Sequence, residues 1–155
     1  MENKKNKIKF VCVSDTHSLT DDLVVPDGDV LLHTGDFTCG EGDIGQVENF
    51  SKWLSTLPHK VKIVIAGNHE LTFDVDTFAG AYFETLRKKL TREECLKAKA
   101  ALKNCIYLEN SSVEVYGYKI YGSPYTPYYW GSAFNAKPQQ IKEIWEKIPT
   151  DTDIL

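Results

Sequence analysis

Three short apolar runs mark the first half of the chain, at residues 8–13, 30–32 and 61–66. The runs are rich in β-branched side chains, and each ends in polar or turn-forming residues. Apolar runs of this length are typical of strands that are buried on both faces of a parallel sheet. We therefore predict three adjacent strands at these positions.

A helical pattern separates the second and third runs. Val47, Phe50, Leu54 and Leu57 recur at three- and four-residue intervals, which places them on one stripe of a helix, and Pro58 ends the pattern. A strand, a helix and a strand in this order predict a right-handed parallel crossover. Parallel strands deliver their carboxyl ends to one edge of the sheet, where ligands bind in open α/β folds.

The second half of the chain has a less regular pattern. Thr91 and Glu94 form a capping box that predicts a helix to about Lys103, and Pro138 opens another helix that ends at Pro149. The remaining predicted elements are a short strand at 106–108, a hairpin at 113–121 with a type II′ turn at 117–118, and an irregular loop at 122–138. The predicted fold class is α/β.

Length, composition and charge limit the classes of protein to which this chain can belong. The chain has 155 residues, which fits one domain over 1–155, and 42 % of them are hydrophobic, as in ordinary globular proteins. The formal charge of −4 gives no electrostatic reason to expect nucleic acid as a partner, and no apolar run reaches the roughly 18 residues of a membrane span. The four cysteines have no CxxC spacing, so we expect reduced thiols and a cytoplasmic location.

Polar side chains that can bind metals follow all three predicted strands. They are Asp15, His17, Asp36, Asn68 and His69. Carboxylate, imidazole and amide oxygen suit divalent ions of intermediate hardness, such as manganese, iron or zinc. Asp15 and His17 lie two residues apart, a spacing that points both side chains to one side of an extended segment. Each ending alone is an ordinary turn pattern, but three successive endings of this kind favour a metal site.

The three endings read Asp-x-His, Gly-Asp and Gly-Asn-His-Glu, within residues 14–18, 33–38 and 66–70. This pattern resembles that of the calcineurin-like metallophosphoesterase family, and the segments 121–127 and 130–135 are similar to its branch of small phosphodiesterases. The resemblance implies a two-sheet β-sandwich flanked by helices, in an αββα arrangement. It also implies a metal-dependent phosphoester hydrolase that acts on small, cyclic-nucleotide-type phosphodiesters through a metal-activated hydroxide.

The resemblance further implies a ligand set for two divalent ions, manganese, iron or zinc. Asp15 and His17 are expected to bind the first ion, and Asn68 is expected to bind the second. Asp36 is expected to bridge both ions, which makes it part of the catalytic centre. Two ions that share a carboxylate clamp the oxygens of a phosphoryl group between them.

Three further residues receive roles from the same resemblance. His69 is the implied catalytic group, because it lies beside the leaving oxygen and protonates it. Glu70 is expected to orient His69. His33 precedes the Gly-Asp motif, and we expect it to support the ligands structurally rather than to bind metal.

One part of the family's pattern does not occur in this sequence. The family continues with a Gly-His or Thr-His-Gly element and a Gly-His-x-His element, which supply further metal ligands, and none of these precedes Leu155. We therefore expect a domain that is incomplete at its C-terminal end and that holds two ions, one ion or none. The alternative to an active enzyme is a catalytically impaired metal- or nucleotide-binding short form, or a fragment of a longer enzyme.

Two expectations concern the surface. The predicted hairpin leaves an open strand edge, which invites pairing with a second copy of the chain or another partner. The aromatic residues at 125–130 are dense for a loop. They either stack on a nucleobase of the substrate or cover the edge of the sandwich, and the sequence favours neither reading.

Overall fold

The computed structural model describes residues 7–40, 42–83 and 87–155. Its elements in chain order are β1 (Phe10–Val13), β2 (Val30–His33), α1 (Ile44–Thr56), β3 (Val61–Val64), a 3₁₀ turn (Leu71–Phe73), α2 (Val75–Phe78), β4 (Tyr82–Phe83), β5 (Lys88–Lys89), α3 (Arg92–Ala101), β6 (Ile106–Tyr107), β7 (Ser111–Val115), β8 (Tyr118–Gly122), β9 (Thr126–Pro127), β10 (Asn135–Ala136) and α4 (Pro138–Trp145). The fold is mixed α/β, as the sequence predicts.

A four-stranded parallel sheet in the order β1-β2-β3-β6 forms the centre of the fold. Val30 pairs with Phe10 on one side and with Val61 on the other, which sets the register of the three strands predicted from the apolar runs. These three strands are confirmed, and β6 extends the sheet beside β3. Because all four strands are parallel, their carboxyl ends lie at one edge.

The two faces of this sheet are covered by different elements. On one face, Leu31 and Val64 pack with the buried side of α1. On the other face, Leu32 and Ile63 pack with the hairpin of β7 and β8, which contributes Ile120. Successive residues of a strand point to opposite faces, so every residue of β2 is buried. The helices, the parallel sheet and the hairpin thus form successive layers.

Helix α1 shows why the predicted crossover forms. Asp43 caps its first turn, because the side chain accepts hydrogen bonds from the backbone N–H groups of residues 45 and 46. Val47, Phe50 and Leu54 are buried along one stripe, as predicted, and pack on the sheet. The crossover therefore carries the chain from β2 to β3 with both carboxyl ends at the same edge.

The structure corrects the predicted hairpin turn. Val115 pairs with Tyr118, so the two-residue turn is formed by Tyr116 and Gly117 rather than by residues 117 and 118. Both turn residues have positive φ, 52° and 80°, which is the pattern of a type I′ turn and not of type II′. The twist of a type I′ turn matches that of the flanking strands, and a glycine at its second position relieves the steric cost.

The other differences between the predicted and the observed elements are at the ends of the helices and in the short elements. Helix α3 ends at Ala101 because the N–H of Lys103 donates to the hydroxyl of Ser51 instead of continuing the helix. Helix α4 ends at Trp145, one turn earlier than the proline predicts. The short elements around residues 71–89 have no strong periodicity and were not predicted. None of the helices in the described ranges is both long and apolar enough to cross a membrane.

Candidate metal centre

The polar segments that follow β1, β2 and β3 meet at the carboxyl edge of the sheet. The N–H groups of Asp15, His17 and Ser18 donate to the carbonyl oxygens of residues 35, 36 and 37, each at 3.0 Å. The segment after β1 is therefore fastened along the segment after β2. This ladder places the Asp-x-His and Gly-Asp motifs side by side, as the sheet topology predicts.

Three of the predicted site residues form one compact group. One ligand atom from each of His17, Asp36 and His69 lies within 4.8 Å of the others. The rings of His17 and His69 meet edge to face, with their centroids 4.6 Å apart. Two imidazoles and one carboxylate at this separation suit an ion such as manganese, iron or zinc.

The hydrogen bond of His17 determines which of its nitrogens is available. Its Nδ1 lies 3.0 Å from the carbonyl oxygen of Thr38. A carbonyl oxygen only accepts hydrogen bonds, so Nδ1 carries a proton, and Nε2 is the nitrogen whose lone pair can face a metal ion in the neutral ring. A metal-binding histidine is commonly held in this way, because the bond fixes both the tautomer and the direction of the ring.

Asp36 supplies the carboxylate of the group and is held by hydrogen bonds of both its side chain and its backbone. Its side chain is buried, and its Oδ1 accepts a hydrogen bond from the backbone N–H of His69 at 3.0 Å. Its own backbone N–H donates to Glu70. The residue has a φ of 53°, a left-handed conformation that is uncommon outside glycine. Such a conformation persists where the surrounding contacts determine it, and it is frequent at functional sites.

Glu70 fastens the segments after β2 and β3 to each other. It is fully buried, and its carboxylate accepts hydrogen bonds from the N–H groups of Asp36, Thr38 and Gly67 and from the Thr38 hydroxyl. Burial raises the pKa of Glu70, and the donors from Gly67 and Thr38 oppose the rise. We expected Glu70 to orient the ring of His69, but its carboxylate is bonded to the two loop backbones. It acts on the site by holding those loops together.

Two glycines permit the close approach of these loops. Gly35 has a φ of 102°, and a Cβ there would lie 2.8 Å from the Cα of Gly67. A Cβ on Gly67 would in turn overlap the carboxylate of Asp36. The glycines of the Gly-Asp and Gly-Asn-His-Glu motifs are thus required by packing of one loop against the other.

The structure does not bring the Asp15 carboxylate into the three-residue group. Asp15 and His17 have φ values of 54° and 43°, so the segment is curled rather than extended, and the spacing argument for a shared side is wrong. The Asp15 side chain is exposed, whereas Thr16 between them is buried and bonded to His33. The role of Asp15 as a metal ligand stays a prediction.

His33 lies beneath the site. Its Nε2 is 3.1 Å from the hydroxyl of Thr16, and its ring packs edge-on against Phe50. Burial lowers the pKa of His33 to about 4, and the nearby charge of Asp15 opposes the shift without outweighing burial. The ring is therefore neutral at physiological pH. This geometry agrees with a structural role beneath the loops.

Asn68 stands next to the group, with a half-buried side chain. Its backbone carbonyl accepts a hydrogen bond from the N–H of Ala133 at 3.2 Å, which fastens the later aromatic loop to this edge of the sheet. Its role as a ligand of a second ion stays a prediction.

Thr38 is the site residue to which sequence reasoning assigned no role. Its carbonyl holds His17, and its N–H and hydroxyl both donate to Glu70. It is fully buried, although threonine is more often exposed. The sequence offered one indication of this role: Thr38 lies two residues after Asp36, within the motif at residues 33–38.

Comparisons with known proteins agree with this geometry. A sequence profile described as calcineurin-like phosphoesterase matches residues 8–155. Human metallophosphoesterase domain-containing protein 1 is 48 % identical over 95 % of this chain and 47 % of its own length. A UPF0046 protein of Caenorhabditis elegans is 45 % identical over 97 % of this chain and 53 % of its own length. The chain thus spans about half the length of these curated relatives. It belongs to the calcineurin-like phosphoesterase family.

Proposed function

We propose that the chain is a metal-dependent phosphoester hydrolase, and that its substrates are small phosphodiesters of the cyclic-nucleotide type. The observation that carries the proposal is the meeting of His17, Asp36 and His69 at one sheet edge, with ligand atoms within 4.8 Å of one another. Membership of the calcineurin-like phosphoesterase family gives the reaction class. The choice of a diester rests on the similarity of the motifs to the small phosphodiesterase branch.

His17 and Asp36 have the chemistry of ligands for a divalent metal ion. His17 offers a free Nε2, and Asp36 offers a buried carboxylate that the loop backbones hold in place. When bound, divalent ions lower the pKa of water and neutralise charge on phosphoryl oxygens. We propose manganese as the ion, because imidazole and carboxylate ligands together suit it. We keep Asp15 and Asn68 as proposed ligands of two such ions.

We propose that His69 donates the proton that the departing oxygen needs. Its backbone is fixed by the bond to Asp36, and its half-buried ring is in edge contact with His17. An imidazole held beside the phosphoryl group is suited to general acid catalysis, since a ring N–H within hydrogen-bond reach can pass its proton to the departing oxygen. Glu70 and His33 do not take part in this step, because they hold the loops from beneath.

A second function is a catalytically impaired form that binds metal or nucleotide without turning it over. It is favoured by one observation: among the described residues the ligand group contains three members, and the exposed Asp15 carboxylate lies outside it. Three ligands can hold one ion with water completing its shell. A binding form is expected to be stabilised by its ligand but to release no product.

The experiment that separates the two functions is a hydrolysis assay with bis-p-nitrophenyl phosphate and added manganese. An enzyme releases p-nitrophenol, and Asp36→Asn is expected to lower kcat/KM by about 100-fold or more. Asp76→Asn is the matched control, since Asp76 is exposed and its ion pair within the described part of the chain is with Arg92 at the surface. Thermal stabilisation by manganese without turnover would favour the binding form, and equal activity of Asp36→Asn and wild type would contradict the proposal.

Two further proposals concern the setting of the protein. We propose a cytoplasmic location, since all four cysteines are free in the structure and free thiols persist in a reducing compartment. We also propose that a second copy pairs along the hairpin, whose β7 strand has β8 as its only strand partner among the described residues. Size-exclusion chromatography with light scattering tests the second proposal, and a monomer at all concentrations would contradict it.

A further inference from the structure

An ordered aromatic loop connects β9 to β10. The two strands run parallel, and the loop is closed at its base by hydrogen bonds from Thr126 to Phe134 and from Tyr128 to Ala136, at 3.0 and 2.9 Å. Inside the loop, the N–H of Tyr129 donates to the Asn135 side chain at 2.9 Å. The loop therefore has a defined shape of its own.

Two bonds fasten this loop to the rest of the fold, and one of them is made to Asn68 beside the candidate metal centre. The N–H of Ala133 donates to the carbonyl of Asn68 at 3.2 Å, and the N–H of Phe134 donates to Asp74 at 2.9 Å. Ala133 and Phe134 are both buried. The Cα of Trp130 is three peptide units from that of Ala133, so the two lie at most about 11 Å apart. Trp130 thus lies within about 11 Å of Ala133, the residue through which the loop contacts Asn68.

The side chains at the tip of the loop are aromatic and exposed. The exposed fractions are 67 % for Tyr129 and 84 % for Trp130, and the two rings meet edge to face with centroids 6.2 Å apart. Trp130 has a φ of 54°, a strained conformation for a residue of this size. An exposed tryptophan gains stability when a flat apolar surface covers it.

We propose that Trp130, assisted by Tyr129, is the surface on which the planar aromatic part of the phosphoester stacks, and that a nucleobase is the group it accepts. The inference rests on the proposed function, because the metal centre is to hold the phosphate. Base–aromatic stacking tolerates different bases, since every base presents a π-face. The loop therefore selects an aromatic ester over an aliphatic one without selecting a particular base.

The test compares two phosphates that differ only in the base, AMP and ribose 5-phosphate, by calorimetric titration with manganese present. We expect AMP to bind about ten-fold more tightly or better. Trp130→Leu is expected to remove this difference and to leave the affinity for ribose 5-phosphate unchanged. Trp130→Phe keeps an aromatic ring and is expected to retain most of the difference.

Trp145 provides the matched control, since it is a partly exposed tryptophan on α4. Trp145→Leu is expected to keep the preference for AMP. In fluorescence, AMP is expected to quench tryptophan emission in wild type and in Trp145→Phe but not in Trp130→Phe.

Two results would overturn the stacking role of Trp130 without contradicting the proposed function. The first is equal affinity of AMP and ribose 5-phosphate in wild type. The second is an equal loss of the preference for AMP in Trp130→Leu and Trp145→Leu. The first result leaves the phosphate site, and with it the proposed function, intact. Failure of wild type to bind either phosphate would overturn the inference together with the proposed function.

Discussion

Glu70 accepts a hydrogen bond from the backbone N–H of Asp36 at 3.0 Å, from a position that is fully buried. The same carboxylate oxygen accepts from Gly67, and the other oxygen accepts from Thr38. One side chain therefore sets the distance between the loops that carry Asp36 and His69. The geometry of the candidate centre depends on a residue that does not belong to the ligand group.

Replacing Glu70 tests this arrangement. In Glu70→Gln, one side of the amide still accepts hydrogen bonds, but its NH₂ faces backbone donors that are left without an acceptor. We expect the free energy of unfolding to fall by about 2–4 kcal/mol. We also expect the affinity for manganese to fall about ten-fold or more, because the support of the ligand loop is lost. Urea unfolding and calorimetric titration measure the two effects.

The control for this variant is Glu48→Gln, which makes the same change at an exposed position on α1. It is expected to change stability by less than about 0.5 kcal/mol. If Glu70→Gln proved as stable as Glu48→Gln and bound manganese as wild type does, the bridging role of Glu70 would be wrong.

The close approach of the loops is tested at Gly35. Gly35→Ala places a Cβ 2.8 Å from the Cα of Gly67, whereas a Cβ at Gly80 meets no atom of the described residues within 4 Å. Both glycines have positive φ, 102° and 86°, so both variants carry a similar conformational cost of about 1–2 kcal/mol. Only Gly35→Ala adds the steric overlap. We expect it to cost at least about 2 kcal/mol more and to weaken manganese binding, as measured by unfolding and titration.

Equal destabilisation by the two alanines would show that the loops can separate at no cost. The packing argument for the motif glycines would then fail, and conformation alone would explain them.

Protonation of His33 gives the protein a specific dependence on pH. The folded-state pKa is lowered to about 4, below the ordinary 6.5, because the ring is buried. The unfolded chain therefore takes up a proton first as the pH falls. The stability due to the neutral ring is complete above pH 6.5 and is lost as the pH falls from 6.5 toward 4. The loss is expected to reach about 3 kcal/mol.

The measurement is the free energy of unfolding between pH 4 and 7, with chelator present, in wild type and in His33→Gln. Glutamine does not titrate and can still bond Thr16, so other groups cancel in the difference. Wild type is expected to lose about 3 kcal/mol more than the variant over this range. Parallel curves would contradict a buried neutral His33.

The elements set by hydrophobic spacing were predictable, and those set by loop geometry were not. The runs of β1, β2 and β3 and the stripe of α1 follow from burial on both sides of a parallel sheet, and each was found where the pattern predicted it. The hairpin turn was misassigned because Tyr116, a bulky residue, takes up positive φ in the structure. The spacing of hydrophobic residues does not indicate which residues of a turn take up positive φ.

The same distinction, between what strand topology predicts and what loop geometry decides, applies to the candidate site. That Asp36 and His17 come together follows from strand topology, which the sequence reveals. That Asp15 lies outside the three-residue group accompanies the left-handed turns at 15 and 17, which no periodicity predicts. The bonds from the Asp36 and Thr38 backbones to Glu70 join residues 34 and 32 positions apart, and only the folded chain shows them.

The most direct test of the central claim is an anomalous difference map from crystals soaked in manganese chloride and measured at the manganese edge. The account predicts a peak in contact with Nε2 of His17 and the carboxylate of Asp36, and its loss in Asp36→Asn. A map with no peak between these side chains at saturating manganese, in crystals that bind the ion elsewhere or not at all, would contradict the account.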